Sequence, residues 1–127
     1  MKITPILFVE RIEPSLPLWI ERLGFEKTVE VPEGDHLGFA ILMKAGTEVM
    51  LQTYASLEQD FKTQPDIGRG SCSLYIEVDD FDYIRRRLEG SDVVVPERVT
   101  FYGMREIAIR EPGGHLLCFA AKAESPQ

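Results

Sequence analysis

The chain has 127 residues, 44% of them hydrophobic and 28% charged, a length and balance that fit one domain with a core of its own. Asp and Glu number 21 against 14 Lys and Arg, and the formal net charge of -7 repels phosphate backbones, which excludes nucleic acid as an expected partner. No apolar run reaches bilayer length, the N-terminus lacks the succession of a signal peptide, and two cysteines, Cys72 and Cys118, make no disulfide framework, so a cytoplasmic chain without a membrane partner is expected.

Ile3 to Val9 predicts a strand, with Pro5 tolerated near its start or at an edge. Glu13-Pro14 opens a helix, Pro14 suiting the first helical position; Ile12, Leu16, Trp19, Ile20 and Leu23 gather on one face, and Gly24 ends it. Phe25 to Val31 reads as a strand and Pro32-Glu33-Gly34-Asp35 as a turn. Gly38 to Met43 and Thr47 to Tyr54 form a hairpin around Lys44-Ala45-Gly46. A polar connector follows from Ala55 to Gly70. Ser73 to Val78 is a strand with Leu74, Ile76 and Val78 on one face and Ser73, Tyr75 and Glu77 on the other. Asp79-Asp80 caps a helix whose buried stripe is Phe81, Ile84 and Leu88, with Gly90 at its end. Asp92 to Val95 and Gly103 to Arg110 are strands, Glu111-Pro112-Gly113-Gly114 is a turn, and Leu116 to Ala121 is the last strand.

The order strand, helix, strand, strand, strand therefore occurs twice, and Ile41 to Gly46 aligns with Ile109 to Gly114 at one offset. The expected class is α+β, two tandem βαβββ modules in a single domain over 1–127. Module one covers about 1–60, module two about 70–123, and 124–127 is a flexible tail.

Three segments resemble the vicinal oxygen chelate superfamily, which contains glyoxalases, bleomycin-resistance proteins, fosfomycin-resistance proteins and extradiol dioxygenases. The stretch from Val9 to Phe25 is similar to that family's opening strand and helix, with Trp19 ahead of Leu23-Gly24-Phe25. Ile76-Glu77-Val78-Asp79-Asp80 is similar to the strand end that opens the second copy. Most specific is Tyr102 to His115, which matches a Gly-x-Arg-Glu strand followed by an Asp-Pro-x-Gly-Asn/His hairpin. The resemblance implies that the mixed sheet curves into a ligand cup with helices on its outer face, and that two subunits associate.

The family's enzymes hold a divalent ion with His and Glu, leaving two positions open for adjacent substrate oxygens. The resemblance carries those four ligand positions onto Thr4, Ser73, the neighbourhood of Leu51, and Cys118, none of them His or carboxylate. The expectation is no metal and no cofactor. His36 and His115 read as surface turn residues; a displaced metal site from His115, Glu106 and Glu77 is the alternative, serving a lyase, isomerase or dioxygenase of the glyoxalase type.

Alternation turns Ile107 and Ile109 toward the packed face and Glu106, Ala108 and Arg110 toward the cup. The candidate ligand residues are Phe8, Ser73, Tyr75, Glu77, Phe101, Tyr102, Glu106, Arg110 and Cys118, with no catalytic residue among them. Apolar area with sparse polar groups is what a small-molecule site needs. Each also has a plainer role: Tyr75 a core tyrosine with its hydroxyl at the rim, Glu77, Glu106 and Arg110 an ion-pair network, Cys118 an inert small hydrophobe. Trp19 belongs to the core, and Arg85-Arg86-Arg87 forms a solvated helix face. The expected function is binding of a small organic ligand, cationic or aromatic, in a cup at a homodimer groove, as in the bleomycin-resistance branch. Whether any reaction is catalysed stays open, with the non-ligand residues at the metal positions weighing against it.

Overall fold

The computed structural model describes residues 1–60 and 69–124, which divide into two compact units, Met1–Gly70 and Ser71–Gln127. The first unit contains β1 (Ile6–Val9), a 3₁₀ turn (Glu13–Ser15), a π-helix (Pro17–Arg22), β2 (Glu26–Glu33), β3 (His36–Lys44), β4 (Thr47–Thr53) and α1 (Tyr54–Asp60). The second contains β5 (Ser73–Glu77), α2 (Phe81–Arg87), β6 (Asp92–Val99), β7 (Met104–Arg110) and β8 (Leu116–Lys122). Their sheets run in the orders β1-β4-β3-β2 and β5-β8-β7-β6, with β1·β4 and β5·β8 parallel and every other pair antiparallel. The α+β class and the doubled βαβββ order are therefore present, and the alignment of Gly46 with Gly114 places both glycines in a turn at positive φ. Ala45 shares that conformation with Gly46, the two-residue turn whose twist suits an antiparallel pair.

In the first unit Leu7, Val9, Ala40, Leu42 and Leu51 turn to one side of the sheet and are buried with Ile12, Leu18, Trp19 and Leu23 from the helical segment. That segment is not the regular α-helix its spacing predicts. Pro17 cannot donate a backbone hydrogen bond and its ring crowds the preceding turn, so the chain closes a 3₁₀ turn at Glu13–Ser15 and rewinds wider. The wide turn is fixed by the Leu23 N–H donating to Leu18 O at 2.9 Å, five residues back. The buried face shifts accordingly: Leu18 is buried, and the expected Leu16 and Ile20 are only half-buried.

In the second unit Ile107, Ile109, Leu117 and Phe119 are buried on the side that receives Phe81 and Ile84 of α2 and Leu88 at its C-terminal cap. Asp80 caps α2 by accepting from the Tyr83 N–H at 3.0 Å. Arg85 is not merely solvated. It and Arg105 both pair with Asp82 and Glu97, and the Arg105 guanidinium lies 4.5 Å from the Phe81 ring centre.

Further boundaries differ from expectation: β1 begins at Ile6 and β3 at His36. The connector from Ala55 begins as α1, capped by Thr53 Oγ1, which accepts from the Ser56 N–H at 3.1 Å, and anchored by buried Leu57; its remainder over 61–68 lies outside the described residues, as does 125–127 of the tail. β2 continues through Pro32 to Glu33, and β6 through Pro96 to Val99. Both are edge strands with register shifts beside the proline, the setting in which a missing N–H costs no ladder bond.

Candidate functional site

Opposite the α2 side, the second sheet turns three rows of side chains outward. Register places Ser73, Leu116 and Arg110 in one row, Tyr75, Cys118 and Ala108 in the next, and Glu77, Ala120, Glu106 and Arg98 in the third. Small residues occupy the middle of the face, which lets Tyr75 on β5 reach across β8 to Glu106 on β7. The Tyr75 hydroxyl donates to Glu106 Oε2 at 2.5 Å, the Tyr102 hydroxyl donates to the same oxygen at 2.8 Å, and Arg98 Nη2 donates to Oε1 at 3.1 Å.

Glu106 is only 2% exposed, so these three donors replace the water it has lost. The Tyr75 hydroxyl is the main reason its carboxyl is held below the usual range; burial opposes, and Tyr102 and Arg98 add to the effect. The same bond pushes the Tyr75 phenol well above its ordinary value, helped by burial and by the negative charge itself. Tyr102 is raised for the same leading reason. The Cys118 thiol is raised by burial and then by Glu106, which makes it a poor nucleophile and a poor metal ligand.

Tyr75 and Tyr102 nevertheless remain 50% and 54% exposed, their hydroxyls tied down and their rings open to solvent. Phe101, fully exposed, meets Tyr102 edge-to-face at 4.9 Å. The hairpin tip carrying both is held by the Gly103 N–H donating to Thr100 O and the Met104 N–H donating to Thr100 Oγ1. The arrangement offers flat aromatic surface beside a buried anion.

The structure thus brings together Tyr75, Tyr102 and Glu106, with Cys118 in the adjoining row and Phe101 packed on Tyr102. Ser73 and Glu77 are exposed on the same face. Arg110 does not join the Glu106 cluster; it reaches along the β7–β8 hairpin to Gly114 O at 3.3 Å. The expected ion-pair network of Glu77, Glu106 and Arg110 is corrected accordingly, since Glu106 takes its cation from Arg98. Sequence reasoning missed Arg98 because it ended β6 at Val95; the signal was the resumed alternation of Glu97, Arg98 and Val99 beyond Pro96. Phe8 lies in the first unit on β1, half-buried, its ring centre 6.3 Å from that of Tyr54. Tyr54 in turn lies under the Arg69 guanidinium at 4.4 Å, and Arg69 pairs with Glu10; neither aromatic Tyr54 nor Arg69 stood out in the sequence as a site residue.

His115 is not a surface turn residue. It is buried, and its Nδ1 accepts from the Cys72 N–H at 3.0 Å. The turn folds inward because the Glu111 N–H donates to His115 O and the Gly114 N–H to Glu111 O, both at 2.8 Å. His36 is half-buried against Asp35.

The donor set does not fit the superfamily's divalent ion. Thr4 and Ser73 offer hydroxyls, Cys118 a protonated thiol, and Leu51 faces the packed side in register with Leu7; the residues beside Phe8 on β4 are Met50 and Gln52. Nor are His115, Glu106 and Glu77 gathered: among the described residues no group of three or more His, Cys, Asp or Glu stands close enough to hold a metal ion. Among the same residues no helix is long and apolar enough to cross a membrane.

Residues 2–119 match the family model described as the Glyoxalase/Bleomycin resistance protein/Dioxygenase superfamily. TioX from Micromonospora sp. ML1 is similar in structure, with TM-score 0.80 and 20% identity, covering 96% of this chain and 98% of that one. Lactoylglutathione lyase from Agrobacterium tumefaciens has TM-score 0.77 and 16% identity, with 95% and 92% covered. A glyoxalase/bleomycin resistance protein/dioxygenase from Nocardioides has TM-score 0.72 and 19% identity, with 100% and 87% covered. At these identities the likeness shows the fold alone. No curated protein matches the chain.

Proposed function

The chain belongs to the Glyoxalase/Bleomycin resistance protein/Dioxygenase superfamily, and on that premise we propose that it binds a small aromatic molecule directly through side chains, with no metal ion between protein and ligand. One observation carries the reading: Tyr75, a half-exposed aromatic, is held in place by a buried carboxylate, with the half-exposed Tyr102 beside it. A ring fixed before the ligand arrives loses little freedom on binding, so more of the stacking energy is retained as affinity. Phe101 adds a third ring at the hairpin tip, and Glu77 and Ser73 supply polar contacts on the same face. Glu106 is ionised, but the donors around it occupy its oxygens and lower its affinity for a proton, which makes it a weak base and supports binding in preference to turnover.

The reading includes a homodimer in the cytoplasm. Both cysteines are free thiols, in keeping with a reducing compartment, and the family resemblance carries the expectation of two subunits.

A thermal-shift screen over aromatic, cationic and amphipathic compounds, followed by titration calorimetry, tests the function. Saturable binding of aromatic compounds that weakens about tenfold or more in Tyr75→Ala is expected, this being the order of effect of one lost aromatic contact. Binding unaffected by that substitution, or no saturable binding by any class, contradicts the proposal.

A further inference from the structure

We propose that Tyr102 is a displaceable latch over Glu106, and that the ligand carries a planar cationic donor group, an amidinium or guanidinium, which takes the place of the Tyr102 hydroxyl on Glu106 Oε2. The inference rests on the aromatic-binding reading and adds to it the chemistry of the ligand's polar end.

The bonding around Glu106 singles out one donor as replaceable. A carboxylate oxygen has two lone pairs, and those of Oε2 are both taken, by Tyr75 at 2.5 Å and Tyr102 at 2.8 Å. Oε1 is held by a cation, Arg98, which a small ligand has little advantage in replacing. Of the two phenols, Tyr75 rises from the body of β5 and makes the shorter bond. Tyr102 makes the longer one and stands at the tip of the β6–β7 hairpin, outside the strands, immediately before Gly103 with its φ of 82°. Its neighbour Phe101 is fully exposed, so the Tyr102 side chain can turn aside without uncovering anything buried and with the Thr100 hydrogen bonds of the turn intact.

The exchange has a direction. A cationic N–H adds a direct charge–charge attraction to the carboxylate that a neutral phenol lacks, and the released Tyr102 hydroxyl, on a residue already 54% exposed, returns to water. The incoming planar cation then lies against the Tyr75 ring while its N–H groups reach Oε2, so one group satisfies the carboxylate and the aromatic face together. A carboxylate ligand meets Glu106 as a like charge, and a neutral amide gains only a bond of the kind it displaces.

Benzamidine, its neutral counterpart benzamide, and benzoate separate these cases by calorimetric titration of wild type, Glu106→Gln and Tyr102→Phe. The wild type is expected to bind benzamidine about tenfold more tightly than benzamide, and benzoate more weakly than either. In Glu106→Gln the preference falls toward unity. In Tyr102→Phe, which keeps the ring and removes only the competing hydroxyl, benzamidine binds several-fold more tightly than in wild type; this exposed-site variant keeps the test decisive even if Glu106→Gln fails to fold. Weaker benzamidine binding by Tyr102→Phe overturns the latch. Equal binding of benzamidine and benzamide overturns the cationic assignment and leaves the aromatic reading intact, whereas failure of benzamidine, benzamide and every aromatic in the screen overturns both.

Discussion

A carboxylate cut off from solvent keeps its charge only while donors stand in for water, and Glu106 depends on three. Proton binding at Tyr75, Tyr102 and Glu106 is therefore one coupled property. In an ultraviolet phenolate titration, Tyr75 and Tyr102 are expected to ionise later than the ordinary value of about 10, and both return toward it in Glu106→Gln. An identical curve for the variant contradicts the shared carboxylate. The acid side has the opposite sign. Because folding lowers the Glu106 value, its contribution to stability is complete above the unfolded value of about 4.3 and is lost as pH falls through the folded one. Urea unfolding at decreasing pH should show wild-type stability falling below about pH 4.3 more steeply than that of Glu106→Gln. Equal slopes oppose this assignment. Tyr75 and Glu106 were legible as residues of one face because strict alternation assigns faces, although their bond to each other was not. Arg98 and the buried ring of His115 were not, since a strand running past proline and a turn folding inward are set by long-range register and packing.

At the level of elements, the local rules held where side-chain chemistry alone decides and gave way where proline did. Asp80 reads as a cap and is one; Asp80→Ala should lower stability by about 1 kcal/mol in denaturant unfolding, the usual loss for an N-cap. Leu117→Ala, deep against α2, should cost about 2–5 kcal/mol, so the two midpoints should separate clearly. A Leu117→Ala loss no larger than that of Asp80→Ala would mean that the sheet does not bury this face. The helical segment of the first unit departs from its 3.6-residue spacing because Pro17 removes a turn's hydrogen bond, which spacing alone does not encode. Pro32 and Pro96 mislead in the other sense. They read as strand ends, yet each lies within an edge strand, and edge position is a property of the assembled sheet. The extra residues of β6 beyond Pro96 have a functional consequence, because they carry Arg98 to Glu106.

For the molecule as a whole, duplication was readable because Gly46 and Gly114 punctuate equivalent hairpins, and family membership follows over residues 2–119. What the chain does with that fold depends on substitutions at the superfamily's ligand positions. Side chains on the second sheet, and no inorganic ion, are proposed to receive the ligand. Native mass spectrometry of protein purified without chelators, with and without the tightest compound of the screen, tests this most directly, because it reads metal, ligand and subunit number together. The expected result is a dimer free of stoichiometric transition metal that takes up one compound per subunit, with uptake unchanged by chelator. A stoichiometric transition metal whose removal by chelator abolishes uptake of the compound would contradict it.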